Sequence, residues 1–192
     1  MRHRLDSDTR KKEAASLWIH NKTQKPMAEE LIIDGKTKQE RYAQLLPQIE
    51  ALVQYESDTI ANMANIAAAL HTTFGFLWVG FYRVVGDELV LAPFQGSLAC
   101  TRIKRGRGVC GTAWQRQASV VVADVEQFEG HIACSSLSRS EIVVPIFFEG
   151  TVVGVLDIDS SSTDTFDQTD QHYLEQIAQL LSARKANQRS FY

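Results

Sequence analysis

Two runs of sequence decide the fold: Glu141-Ile142-Val143-Val144-Pro145-Ile146-Phe147-Phe148 and Thr151-Val152-Val153-Gly154-Val155-Leu156-Asp157-Ile158-Asp159. Both are dense in β-branched and aromatic residues, so strands are predicted over Glu141–Phe148 and Thr151–Asp157, joined at Glu149-Gly150. The joint is far too short for a helical crossover, so the pair is antiparallel. Alternation along the second run puts Val153, Val155, Asp157 and Asp159 on one face, with the two acids roughly 6–7 Å apart. The apolar approach to them marks a sheet interior, where an unpaired carboxylate is costly. Either both acids reach a polar pocket, or the strand has ended and Asp159 opens the Ser160-Ser161-Ser162 loop. Glu141 depends on register. A plain two-residue turn pairs it with Ile158, behind the sheet. One extra residue, or a bulge near Pro145, brings it to the face of the aspartates. The odd register is the expectation here.

Working outward, Phe76–Val84 reads as a strand, followed by a turn at Gly86-Asp87 and a second strand over Glu88–Phe94. Upstream, Tyr42, Leu45, Leu46, Ile49, Leu52 and Val53 recur at helical spacing between Thr37 and Tyr55, with Pro47 expected to kink or split that helix. Ser57 is the expected cap of a second helix through Leu70, carrying a stripe of Ile60, Met63, Ala67 and Leu70. A final amphipathic helix is predicted from about Asp167 to Lys185, with Leu174, Ile177, Ala178 and Leu181 facing inward. Residues 95–140 hold five glycines and all three cysteines. They read as a long irregular region, interrupted by a short helix (Thr112–Gln117) and a short strand (Ser119–Val122). Helices, then hairpins, then a helix make an α+β domain with a mostly antiparallel sheet.

The chain has 192 residues, 44% of them apolar and 22% charged, the composition of a folded soluble domain. A net charge of −3 offers no footprint for nucleic acid, and no apolar run is long enough to span a membrane. Residues 1–26 carry seven Lys/Arg against Asp6, Asp8 and Glu13. They are expected to form a flexible basic extension, with the folded domain at 27–192.

Three cysteines in a chain of this size argue against a disulfide framework and leave buried, metal-bound or reactive thiols. The spacings of Cys100, Cys110 and Cys134 match no zinc pattern, although His131 lies three residues before Cys134. No metal is expected. Arg102, Lys104, Arg105 and Arg107 supply positive potential, which favours thiolate. A thiolate that meets an oxidised sulfur becomes a sulfenic acid, which a second thiol can capture as a disulfide. Trp78 and Tyr82, flanking Gly80, project from one face of their strand. They are core, unless that face also bears the carboxylates.

Several segments carry a resemblance: Phe94-Gln95-Gly96 with Cys100, Gly106-Arg107-Gly108-Val109-Cys110-Gly111-Thr112-Ala113, and Gly130-His131-Ile132-Ala133-Cys134. Ser140-Glu141-Ile142-Val143-Val144-Pro145 and Gly154-Val155-Leu156-Asp157-Ile158-Asp159-Ser160 join them. Together, from about Thr37 to Ala183, they resemble the free methionine-(R)-sulfoxide reductases, single-domain enzymes of GAF fold. The resemblance implies that Cys134 attacks the sulfoxide sulfur of the free amino acid and that Cys100 resolves the sulfenic acid as a disulfide. It gives Cys110 an alternative pairing with Cys134. It makes Glu141 and Asp159 the acids at the sulfoxide oxygen, and Asp157 the acid that holds the ammonium. Trp78 and Tyr82 become the aromatic wall around the substrate. It further implies no bound cofactor, recycling by thioredoxin with NADPH as the ultimate reductant, a homodimer, and action in the cytoplasm. A GAF-type sensor that binds a small ligand, or reads redox state through its cysteines, is the second reading, and a GAF-like structural or dimerisation unit with incidental thiols is the third.

Overall fold

The computed structural model describes residues 30–132 and 134–182; the basic extension 1–26 and the end of the last predicted helix lie outside these. The first helix, α1 (Lys38–Gln54), starts at a capping box: the Thr37 hydroxyl accepts from the Glu40 backbone N–H, and Glu40 accepts from that of Thr37. Pro47 lies inside it without splitting it, because Tyr42, Leu45, Ile49 and Val53 anchor both halves to the core. The second helix, α2 (Thr59–Phe74), is capped by Asp58 rather than Ser57, the Asp58 carboxylate accepting from Ala61 N–H at 2.9 Å. It runs one turn past Leu70 to Gly75, which adopts φ 69°. Its inner stripe is Met63, Ile66, Ala67 and Leu70. Ile60, expected on that stripe, is exposed instead.

Six strands form one antiparallel sheet among the described residues: β1 (Trp78–Val85), β2 (Glu88–Gln95), β3 (Arg102–Lys104), β4 (Val120–Val122), β5 (Ser140–Phe148) and β6 (Thr151–Ser160). Their spatial order is β3-β2-β1-β6-β5-β4, so β1 and β6 are the middle strands, with β5 beside β6. Near the β5–β6 turn the register steps: Phe147 pairs with Val152 and Ile146 with Gly154, leaving Val153 as a bulge. From there on Glu141 stands opposite Asp159, as the odd register requires. The bulge also corrects one expectation, since Val153 turns to the helical face while Val152 joins the face of Val155.

Residues 95–140 are more ordered than their glycines suggest. Besides β3 and β4 they contain helix α3 (Gly108–Arg116), which starts four residues before the predicted Thr112, and a 3-10 turn at Val125–Gln127. Cys110 therefore lies on a buried helical face rather than in a loop. Glycine's low helix propensity hid this start, which packing of Val109, Ala113 and Trp114 overrides.

The last helix, α4 (Gln168–Ser182), packs with α1 and α2 on one side of the sheet, over Val79, Phe81, Ile142, Val144, Ile146, Leu156 and Ile158. Tyr42 on α1 donates to the buried Asp170 of α4 at 3.0 Å, joining the two helices through a polar contact. The other side, with Trp78, Tyr82, Val143 and Val155, is covered by α3 and its flanking segments. No helix among the described residues is long and apolar enough to cross a membrane.

Candidate active site

On the α3 side of the sheet, alternation presents Trp78 and Tyr82 from β1, Asp157 and Asp159 from β6, and Glu141 from β5. All five line one cleft, together with Cys110, Cys134, Arg107, His131 and Ser138. Gly80 pairs with Asp157, and a Cβ there would sit 2.3 Å from the Trp78 ring. The glycine lets the indole fold back over the strand. The Trp78 ring stacks on Phe94 (5.4 Å between centroids) and neighbours Tyr82 (6.1 Å). Its Nε1 donates to the Ser97 carbonyl at 3.1 Å, while the Tyr82 hydroxyl donates to the Cys100 carbonyl at 3.0 Å. The aromatic wall thereby holds the backbone that carries a site cysteine.

Cys100 and Cys134 are joined by a disulfide, with 5.6 Å between their Cα atoms. Cys134 is exposed and Cys100 half-buried, whereas Cys110 is a free, buried thiol. Burial pushes the Cys110 thiol up, with the Asp157 and Glu141 charges adding to it. The expected thiolate-favouring effect of the basic residues is absent at Cys110. Arg102 turns to Glu88 at 2.9 Å, and Arg105 lies over the Trp114 ring.

The three acids are crowded. Burial pushes Glu141 well above the carboxylate range, and the charges of Asp157 and Asp159 add to this. Asp157 rises for the same reasons, burial first and Asp159 second, outweighing hydrogen bonds from Cys110 and Glu141. Asp159 rises to about 6 through burial, moderated by the hydrogen bond it accepts from Ser138. Asp157 Oδ1 is buried without a hydrogen-bond partner, an acceptor that suits a cationic ligand group. His131 Nε2 stands 3.7 Å from Glu141 Oε2. Burial lowers His131 and raises Glu141, so each disfavours its own charged form.

One donor grouping is compact enough to hold a cation: Cys110, Glu141 and Asp157, with ligand atoms within 4.8 Å of one another. Burial raises all three, so a metal would compete with protons for these ligand atoms.

Every residue singled out from the sequence reaches this site: Trp78, Tyr82, Cys110, Cys134, Glu141, Asp157 and Asp159 at the cleft, and Cys100 through its bond to Cys134. Three side chains escaped sequence reasoning as site residues: Arg107, His131 and Ser138. His131 had a signal, standing three residues before a reactive cysteine. Ser138 had none, because its bond to Asp159 spans 21 positions.

The GAF domain family model matches residues 56–183. GAF domain-containing protein A of Dictyostelium discoideum is 58% identical over 156 residues, spanning 81% of this chain and 99% of that protein. The free methionine-R-sulfoxide reductase of Escherichia coli is 46% identical over 145 residues, spanning 74% of this chain and 88% of its own. The X-ray structure of free methionine-R-sulfoxide reductase from Neisseria meningitidis, in complex with its substrate, aligns with a TM-score of 0.80 at 55% identity. It covers 81% of this chain and 94% of that one. The chain therefore belongs to the free methionine-R-sulfoxide reductase family, on a GAF fold.

Proposed function

We propose that this protein reduces free L-methionine-(R)-S-oxide to L-methionine, with residues 27–192 as the catalytic domain. The observation that carries the reading is the convergence on one cleft of a disulfide-forming thiol, three crowded acids and an aromatic wall. In the reduced enzyme the Cys134 thiolate attacks the sulfoxide sulfur. Glu141, kept protonated by burial, gives its proton to the sulfoxide oxygen, a poor leaving group until protonated. Methionine departs and Cys134 retains the oxygen as a sulfenic acid. The Cys100 thiol then displaces water to form the disulfide. The disulfide to Cys134 supports Cys100 in the resolving role. Cys110, buried and protonated, is the secondary thiol.

Substrate selection follows from charge. The ammonium of a free amino acid meets Asp157 Oδ1 and releases a proton from that acid. The carboxylate meets Arg107 and the backbone N–H groups that open α3. A methionine within a peptide offers neither charge. Asp159, steadied by Ser138, completes the polar end, and Trp78 and Tyr82 enclose the sulfoxide methyl. No bound cofactor enters this scheme. We assign recycling to thioredoxin, action to the cytoplasm where such dithiols are kept reduced, and a homodimer as the working form.

The test is incubation with racemic free methionine sulfoxide, thioredoxin, its reductase and NADPH. NADPH loss should stop near half of the added sulfoxide and vanish in Cys134→Ser. Ligand binding without turnover would instead make the domain a sensor.

A further inference from the structure

The reaction strips Glu141 of its proton at every turnover and leaves a buried carboxylate beside Asp157 and Asp159. Until that proton returns, the next sulfoxide cannot be activated. The titratable groups around Glu141 come from four elements. Asp157 on β6, Cys110 on α3 and Tyr82 on β1 are buried at the cleft, with the half-buried Asp159 of β6 beside them. The preceding loop supplies His131, whose side chain is 16% exposed and whose Nε2 stands 3.7 Å from Glu141 Oε2. Arg107 also lines the cleft. His131 thus faces the acid on one side and solvent on the other, with two ring nitrogens to receive and release a proton. Its backbone N–H donates to the Phe128 carbonyl at 3.0 Å, fixing the loop where the imidazole enters.

We propose that His131 reloads Glu141, taking a proton from water at one ring nitrogen and passing one from the other to the carboxylate. The balance is one proton from solvent to Glu141 per sulfoxide reduced, with the imidazole returned unchanged. At 3.7 Å the transfer runs through a small side-chain shift or one bridging water. His131 acts through Glu141 and is a positioning residue for the proton. The inference rests on Glu141 as the proton donor.

The test separates the first turnover from later ones. Glu141 starts loaded, so reduced enzyme mixed rapidly with substrate and excess dithiothreitol should release its first methionine within twofold of the wild-type rate in His131→Gln. Later turnovers should be about tenfold slower, a modest loss for a proton-transfer group. Added imidazole should restore them in His131→Ala. An equal slowing of first and later turnovers would overturn the relay, since that reports loop positioning. Unchanged steady turnover would overturn it too. Wild-type enzyme that releases no methionine would instead overturn the proposed activity itself.

Discussion

Asp159 shows how a single residue trades stability for chemistry. Its carboxyl is raised from 3.8 to about 6 because burial penalises the charged form more than Ser138 supports it. A raised acid binds its proton more tightly in the folded chain than in the unfolded one. Its contribution to stability is therefore whole below about pH 4 and lost as pH rises through about 6. Asn keeps an acceptor for Ser138 and removes the buried charge. Asp159→Asn should leave stability nearly unchanged at pH 4 and raise it by about 3 kcal/mol at pH 8, while activity falls. Urea melts at the two pH values check this; equal shifts at both would refute the titration argument. Glu141 and Asp157 lean the same way, each raised by burial and by its neighbours' charges.

At the level of elements, the site depends on three adjacent strands presenting one face in phase. The Val153 bulge sets that phase for Glu141, and Gly80 clears the space into which Trp78 folds. Gly80→Ala would drive a methyl into the indole ring and into Phe94 Cβ, 2.5 Å from the added carbon. The strand backbone at Gly80 is held by pairing with Phe94 on one side and Asp157 on the other, so the ring must move instead. On the proposed role of the aromatic wall, which binds substrate without touching the proposed proton donor, KM for the sulfoxide should rise about tenfold with a smaller fall in kcat. Tryptophan emission should shift with it; an unmoved KM would show that the indole does not contact substrate. The same strand phasing explains which sequence expectations survived. Alternation in β1 and β6 was legible because the runs are long and apolar. The α3 start was not, because Gly106-Arg107-Gly108 imitates a loop and only packing against the sheet reveals the helix.

For the whole molecule, the Cys100–Cys134 bond is the longest-range covalent constraint among the described residues, tying the segment after β2 to the one before β5 across 34 positions. Closing a loop of that length in the unfolded chain is worth about 4 kcal/mol in the entropic picture. The oxidised protein should therefore melt several degrees above the reduced one. Calorimetry with and without dithiothreitol measures the difference, with Cys100→Ser as the control that should show none. Indistinguishable melting temperatures would mean that the reduced cysteine segments hold their places by packing alone.

Much of this protein was determined by its sequence alone: the α+β class, the antiparallel central strands, the aspartates on one face, and the cysteine contexts that resemble a reductase family. Those follow from local periodicity and from residue chemistry that does not depend on distant partners. The tertiary structure decided the rest. It placed Glu141 opposite Asp159 through a bulge, put Cys110 on a buried helix beside the acids, chose Cys100 as the partner of Cys134, and set His131 against Glu141. Each is a meeting of segments far apart in the chain. Such contacts are settled by packing and burial across the sheet, which no local pattern encodes.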